Sequence, residues 1–415
     1  MYFELPFDNS VSVADEDYVI ATYLAFGITN AAALKKAGQF ATGQSIGTWL
    51  PLPGVTRDMV ENWQARVLAV YPLPTDESIS VLRVAFPHHN FASNFAMMLT
   101  AMVGNDVSTA LRIKLIDLEF TAKALKAYTG PKQSIEGWRG ATGVTGRPLV
   151  LNMIKPCLGF APERGAELFY QSGLGGVDLI KDDEVFGNTS VSSVTGRLKA
   201  YNAAAGKLKE ETGKAPVYIV NITDTPQRMR AHAQAVIDEG GKAAMVNFVS
   251  TGIDALRELT DEFGGSLCFL AHYAGAGMMN SPQLGITGSV LLGVLARLAG
   301  ADSVMTMFAG SADTHELFEC LQTVQKQKLP MGGLRPVMTS LGGGITPLSI
   351  GSTVKTFGND VILGVGGAVQ GHPMGTTAGA KAVMAALGGA MQGKELDEIA
   401  DTSPELQAAI NAWQQ

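Results

Sequence analysis

The chain has 415 residues, 46% of them hydrophobic, and a formal net charge of -7. That length exceeds one ordinary domain and suits a barrel of roughly 250 residues with a smaller partner. The acidic balance and the scattered Lys and Arg residues exclude a basic face for nucleic acid or anionic lipid. An N-terminus reading MYFELPFDNS, acidic where a signal peptide is basic, and no uncharged apolar run of about 18 residues point to a cytoplasmic protein. The three cysteines, Cys157, Cys268 and Cys320, lack CxxC spacing and read as reduced thiols.

Up to about residue 130, β-rich runs such as YVIATYLAF (18–26) and SISVLRVAFP (78–87) alternate with stretches that read as helices. Those stretches are TRDMVENWQARVLAVY (56–71) and NFASNFAMMLTAMVG (90–104). They predict a small α+β domain of ferredoxin-like kind over residues 1–130. The segment TGPKQSIEGWRGATGVTGRP (129–148), rich in Gly, Thr and Pro, reads as the connection to a second domain over 131–415.

From residue 148 short apolar runs alternate with helix-length segments: PLVLNMI, VDLI, VYIVNI, AAMVNFV, LCFLA, SVMTMF, PVMTSL and DVILGV. Eight such repeats predict a (β/α)8 TIM barrel, followed by closing helices in TTAGAKAVMAALGGAMQG and SPELQAAINAWQQ. An active site in this architecture lies at the C-terminal ends of the strands, which directs attention to the polar residues after each run.

The first run ends near Lys155, the second in Lys181, Asp182, Asp183 and Glu184, and the fifth in His272. Clustered carboxylates suit a hard cation such as Mg²⁺, although a charged first turn of a helix would also explain them. Glycines 342–344 after the seventh run and 366–367 after the eighth read either as tight turns or as loops whose uncovered N–H groups bind phosphate. Lys155 is a candidate acid/base lysine, because a buried ammonium needs a partner. His272 is either a satisfied core histidine or an acid/base group. Cys157 has no adjacent base in sequence, and His88 and His89, without an acid at metal-ligand spacing, read as surface or interface residues.

GRPLVLNMIKPCLG (146–159) followed by GGVDLIKDDE (175–184) resembles the first two barrel strands of the RuBisCO large chain. The resemblance continues through GTW (47–49), Gly104–Asn105, His272, the GGG segment and GVGGAVQGHPMG (364–375). It implies that Lys181, carbamylated by CO₂, holds one Mg²⁺ with Asp183 and Glu184, while Asp182 is not a ligand. It also implies a homodimer, or a multimer of dimers, in which Thr48, Trp49 and Asn105 of one subunit act at the barrel mouth of another. Thr48, Trp49, Gly343, Gly344, Gly366 and Gly367 would then bind a substrate phosphate, Asn105 would bind substrate, and Lys155, Lys181 and His272 would be catalytic.

Departures from the family are grouped. Cys157 replaces the second lysine of the IKPK motif, Tyr273 an arginine, Ala276 and Met305 two histidines, Gly342 a serine and Gly43 an acid, and MFAGSADTHE (307–316) holds no lysine. One phosphate pocket is kept and the cationic groups of the other are lost. This implies a RuBisCO-like enzyme of Mg²⁺-dependent enolate chemistry on a monophosphorylated sugar-derived ketone, without CO₂ fixation. Within that class the sequence favours decarboxylation, transcarboxylation or hydrolysis of 3-oxo-isoapionate 4-phosphate. The alternatives are an enolase or isomerase on a methylthio-sugar phosphate of methionine salvage, which Asn105 in place of a first-domain lysine disfavours, and a non-catalytic sugar-phosphate-binding dimer.

Overall fold

The computed structural model describes residues 13–48, 50, 52–105, 112–308 and 314–414. They form two units: one takes the chain up to Thr129 with Gly275–Leu295 and Met331–Leu334, the other Gly130–Ala274, Ala296–Pro330 and the chain from Arg335 onward.

The first unit is a sheet of β1 (Tyr18–Phe26), β2 (Arg66–Leu73), β3 (Asp76–Pro87) and β4 (Ile113–Phe120). The short β10 (Gly285–Ile286) extends it, in the order β10-β4-β1-β3-β2. Helices Asn30–Gly43 and Phe95–Val103 lie between β1 and β2 and between β3 and β4 in sequence, which is the split β-α-β ferredoxin-like order. Two sequence readings change here. The stretch 56–71 is helical only over Arg57–Trp63, capped by Thr56, whose side chain accepts from Met59 N. From Arg66 the chain is strand, because pairing of Val67 with Val84 and Val70 with Leu82 in β3 overrides helix periodicity. His88 is buried rather than on the surface, with Nδ1 3.3 Å from Asp17 Oδ1 and Nε2 3.3 Å from the Tyr128 hydroxyl. His89 is exposed, edge-on to Trp63.

The second unit is a closed parallel barrel. Its strands are β5 (Leu149–Met153), β6 (Leu179–Lys181), β7 (Val217–Asn221), β8 (Ala243–Val246), β9 (Cys268–Ala271), β11 (Ser303–Met307), β12 (Met338–Gly342) and β13 (Val361–Gly364). Each predicted apolar run supplies one of them. Their burial is almost continuous, as parallel strands covered on both faces require. Leu149, Leu151, Leu179, Ile219, Met245, Leu270, Met338 and Ile362 pack into the interior with Trp138.

Trp138 belongs to a helix, Ser134–Thr142, inside the segment read as a connection. Asp302 anchors its start: one carboxylate oxygen accepts from Gln133 N and Ser134 N at 2.7 Å, the other from Phe269 N at 3.0 Å. The glycines and threonines of the segment hid a helix whose stability comes from tertiary packing rather than propensity. Outer helices follow amphipathic spacing, as in Ile253–Phe263, where Ile253, Leu256, Leu259, Thr260 and Phe263 face inward. No helix of the described residues is long and apolar enough to cross a membrane.

Candidate active site

Strand β6 ends at Lys181, and the chain turns so that its next three side chains go different ways. Asp182 is wholly buried and faces into the protein, accepting from Arg197 Nε at 3.1 Å, the Tyr218 hydroxyl at 2.8 Å and Asn221 N at 3.0 Å. Burial raises its pKa, with the Arg197 charge working in the opposite direction. Arg197 in turn donates to the carbonyls of Gly187 and Ser192 and lies over the Phe186 ring. Asp183 and Glu184 instead line a cavity of about 380 Å³ at the strand ends, together with Lys155, Lys181 and His272. Asn221 donates to the backbone carbonyls of Asp183 and Glu184, and Asn247 to that of Glu184 at 2.8 Å. These two asparagines fix the turn and were missed in the sequence, because both lie inside the apolar runs VYIVNI and AAMVNFV rather than after them, where site residues are sought.

Lys181 has no exposed side chain. Its Nζ donates to the Asp182 carbonyl at 2.9 Å and lies 3.8 Å from Glu184 Oε2. Burial lowers its pKa, opposed by the three neighbouring acids. Lys155, two residues beyond β5 and joined to Pro156 by a cis bond, donates to Asp183 Oδ2 at 2.5 Å and to Cys157 Sγ at 3.1 Å. Burial pulls its pKa down, but the hydrogen bonds to Asp183 and Cys157 raise it overall. Lys155 is therefore held as a cation that donates to Cys157 Sγ and to Asp183.

His272 follows β9. Its Nδ1 accepts from Ala274 N at 3.1 Å, so the neutral ring carries its proton on Nε2, 3.5 Å from Glu184 Oε2. Burial first, and then the Lys181 and Lys155 amines, pushes its pKa down to about 2. An unfolded histidine takes its proton near pH 6.5, so the unfolded chain binds the extra proton below that pH and the fold loses stability as acid is added. In metal-free protein the loss approaches about 1.4 kcal/mol per pH unit between roughly pH 6 and pH 3. Denaturant midpoints at pH 7 and pH 5 should record this slope, and His272→Gln should flatten it.

The cavity's other wall comes from the glycine loops. Gly343 and Gly344 have φ of 97° and 90°, which favour glycine, and a Cβ on Gly366 would stand 2.8 Å from the Met153 carbonyl oxygen. Gly343, Gly344, Gly366 and Gly367 all line the cavity, as do Thr346 and Trp413, which sequence reasoning did not select. Met153, Tyr273 and Met305 line the same cavity, Met153 directly beside Gly366 and Met305 beside Gly342. Tyr273 stacks on His272 with ring centroids 4.9 Å apart, and its hydroxyl lies 3.7 Å from Met307 Sδ. Thr48 and Asn105 belong to the other unit, Thr48 partly buried after helix Asn30–Gly43 and Asn105 exposed after helix Phe95–Val103. Trp49 lies outside the described residues, as do positions 309–313 of the loop after β11.

The donors fit magnesium on one condition. Among the described residues no three His, Cys, Asp or Glu side chains gather as a metal set. Asp183 and Glu184 would supply two hard oxygen donors, and Lys181, if carbamylated, a third. Burial that lowers the amine's pKa favours its neutral form, the form that adds to CO₂ and releases a proton to give a carbamate, whose oxygens are donors of the kind Mg²⁺ prefers.

The barrel, the acidic turn after its second strand and the glycine loops of its last two define a family. Residues 134–413 match the ribulose bisphosphate carboxylase large chain catalytic domain and residues 7–123 its N-terminal domain. The chain belongs to this family, as a RuBisCO-like protein. It is 34% identical to a ribulose bisphosphate carboxylase-like protein of Archaeoglobus fulgidus, covering 99% of this chain and 97% of that one. It is 31% identical to a 2,3-diketo-5-methylthiopentyl-1-phosphate enolase of Bacillus velezensis, covering 95% and 98%. A solved dimeric archaeal Rubisco from Hyperthermus butylicus superposes with a TM-score of 0.87 at 30% identity, covering 99% of each chain.

Proposed function

We propose that this chain is a magnesium-dependent enzyme that enolises a monophosphorylated ketone whose far end is uncharged, a methylthio-sugar phosphate being the substrate type that fits best. The observation that carries this reading is that Met153, Tyr273 and Met305, rather than cationic side chains, line the cavity beside the glycine loops. Among the described lining residues the cations are Lys155 and Lys181, both engaged with the acids. A second phosphate or a carboxylate at the far end would lose its water without gaining a charged partner, which is costly. A thioether loses little there and gains dispersion and sulfur–aromatic contact. The relative named as an enolase of such a substrate supports the same choice over the branched 3-oxo acid phosphate that the sequence favours.

Each group of the chain has a part in the reaction. N–H groups of the glycine loops bind the phosphate and set the register of the substrate. Lys181, Asp183 and Glu184 would hold the magnesium, which when bound polarises the substrate carbonyl and lowers the cost of charge developing at the α carbon. The α proton would pass to a carbamate oxygen on Lys181 or to Lys155 once Lys155 has released its own proton, and His272, with its proton on Nε2, donates to a substrate hydroxyl. By the same family argument the working unit is a dimer, with Thr48, Trp49 and Asn105 contributed by the second copy.

Decarboxylation of 3-oxo-isoapionate 4-phosphate is the second reading. It is favoured by Lys155 being held as a cation, because loss of CO₂ needs no base. Turnover of both substrate types by the purified protein with Mg²⁺ and bicarbonate separates the readings: a methylthio enol product is expected, and release of CO₂ would reverse the preference. Silence on both would leave a sugar-phosphate-binding dimer. Tyr273→Arg should restore a cation at the far end. We expect it to tighten binding of a sugar bisphosphate about tenfold, the equivalent of one charged hydrogen bond, and to slow the methylthio substrate by at least as much; competitive inhibition constants read the first effect and kcat/KM the second.

A further inference from the structure

We propose that Trp413 forms one wall of the phosphate subsite and is held there by His372. The inference rests on the reading that the glycine loops bind phosphate, and it adds a residue from a part of the chain that neither the motifs nor the barrel strands single out. Trp413 ends the helix Pro404–Trp413 and lines the same cavity as Gly343, Gly344, Gly366 and Gly367.

Its placement follows from a short chain of contacts. Ser403 caps the helix by accepting from Leu406 N at 3.3 Å, Pro404 opens it, and Leu406, Ala409 and Ile410 bury its inner face. His372, from the GHP segment that follows the glycines of the eighth strand, is buried. Its Nδ1 accepts from Met374 N at 3.1 Å, so its proton sits on Nε2, which donates to the Glu405 carbonyl at 2.9 Å. Lys381 pairs with the Glu405 carboxylate at 3.6 Å. The first turn of the helix is thereby tied to the loop that carries the glycines. At its last turn the Trp413 ring stands edge-on to His372, with centroids 6.0 Å apart and planes at 78°.

An indole at this point does two things for an anion held by backbone N–H groups. It excludes water from one side of the phosphate, so that the hydrogen bonds form in a lower dielectric and are worth more. Being rigid, it does so at little conformational cost. His372 is a positioning residue in this arrangement, and Trp413 touches the substrate.

Titration of the full-length protein with inorganic phosphate, followed by tryptophan fluorescence and by calorimetry, tests the proposal. Trp413→Ala, Trp49→Phe alone and with Trp413→Phe, and the control Trp63→Phe, at an exposed residue outside the cavity, complete the set. Phosphate should change the emission of wild type, Trp63→Phe and Trp49→Phe, and the change that remains in Trp49→Phe should be lost when Trp413→Phe is added to it. The phosphate Kd should rise about tenfold in Trp413→Ala, with KM for the substrate rising more than kcat falls. An unchanged Kd in Trp413→Ala, with or without a lower Tm, would make the residue merely structural and overturn the proposal while leaving the phosphate reading intact. Failure of wild type to bind phosphate at all would overturn that reading and the proposal with it.

Discussion

Lys181→Ala should abolish turnover, lowering kcat/KM by about a thousandfold or more, the scale on which removal of the main electrostatic stabiliser of a developing charge is felt. The acids alone make a two-ligand site, and Lys181 is the buried group beside them that can become a third oxygen donor. The same substitution should remove activation by bicarbonate and weaken Mg²⁺ binding measured by calorimetry. Loss of a buried side chain perturbs packing, so Tm serves as the control. A variant that folds, binds Mg²⁺ like wild type and keeps its activity would exclude the carbamate as a ligand. Lys181→Glu would supply a carboxylate on a shorter arm, and partial recovery of Mg²⁺ binding without bicarbonate dependence is expected of it.

Arg197→Leu should produce the largest loss of stability. Asp182 and Arg197 are both completely buried, and removing the guanidinium leaves a carboxylate with Tyr218 and one backbone N–H as its donors. Stranding one partner of such a pair costs about 3–5 kcal/mol. For a unit of this size that corresponds to a fall in Tm of roughly 10 °C. Burial already raises the Asp182 pKa, so the variant should meet the cost by protonating the acid, and its stability deficit should shrink as pH falls. Pairing Asp182→Asn with Arg197→Leu should recover part of the loss, and thermal melts of the two single variants and the double measure that coupling. Because Asp182 precedes Asp183 on the same turn, weaker Mg²⁺ binding should accompany the loss of stability.

The barrel was legible because parallel strands buried on both faces write themselves as apolar runs, and all eight did. β4 and β2 were not, since IKLIDLEF mixes charges into its alternation and RVLAVYPL continues a helical period until β3 supplies a partner. In the site, Lys155, Lys181, Asp183, Glu184 and His272 could be picked out as polar residues after strands, and they line one cavity. The opposed directions of Asp182 and Asp183 could not be read from spacing, because β6 ends at Lys181 and alternation no longer applies. The resemblance assigned Asp182 no metal role, and Arg197 and Tyr218 give the physical reason why it turns inward. Trp413 was invisible for a different reason. It lies far in sequence from the loops it accompanies, and only the tertiary ties through His372 and Glu405 bring it to them.

The most direct test of the central claim, metal-dependent enolate formation on a monophosphorylated ketone with an apolar end, is proton NMR in D₂O. The substrate is 2,3-diketo-5-methylthiopentyl 1-phosphate, with Mg²⁺ and bicarbonate and either wild type or Lys181→Ala. Loss of the α-proton signal with wild type, requiring both additives and absent in the variant, is the predicted result. An α-proton signal that persists with folded wild type, under conditions where the substrate is bound, would contradict the claim.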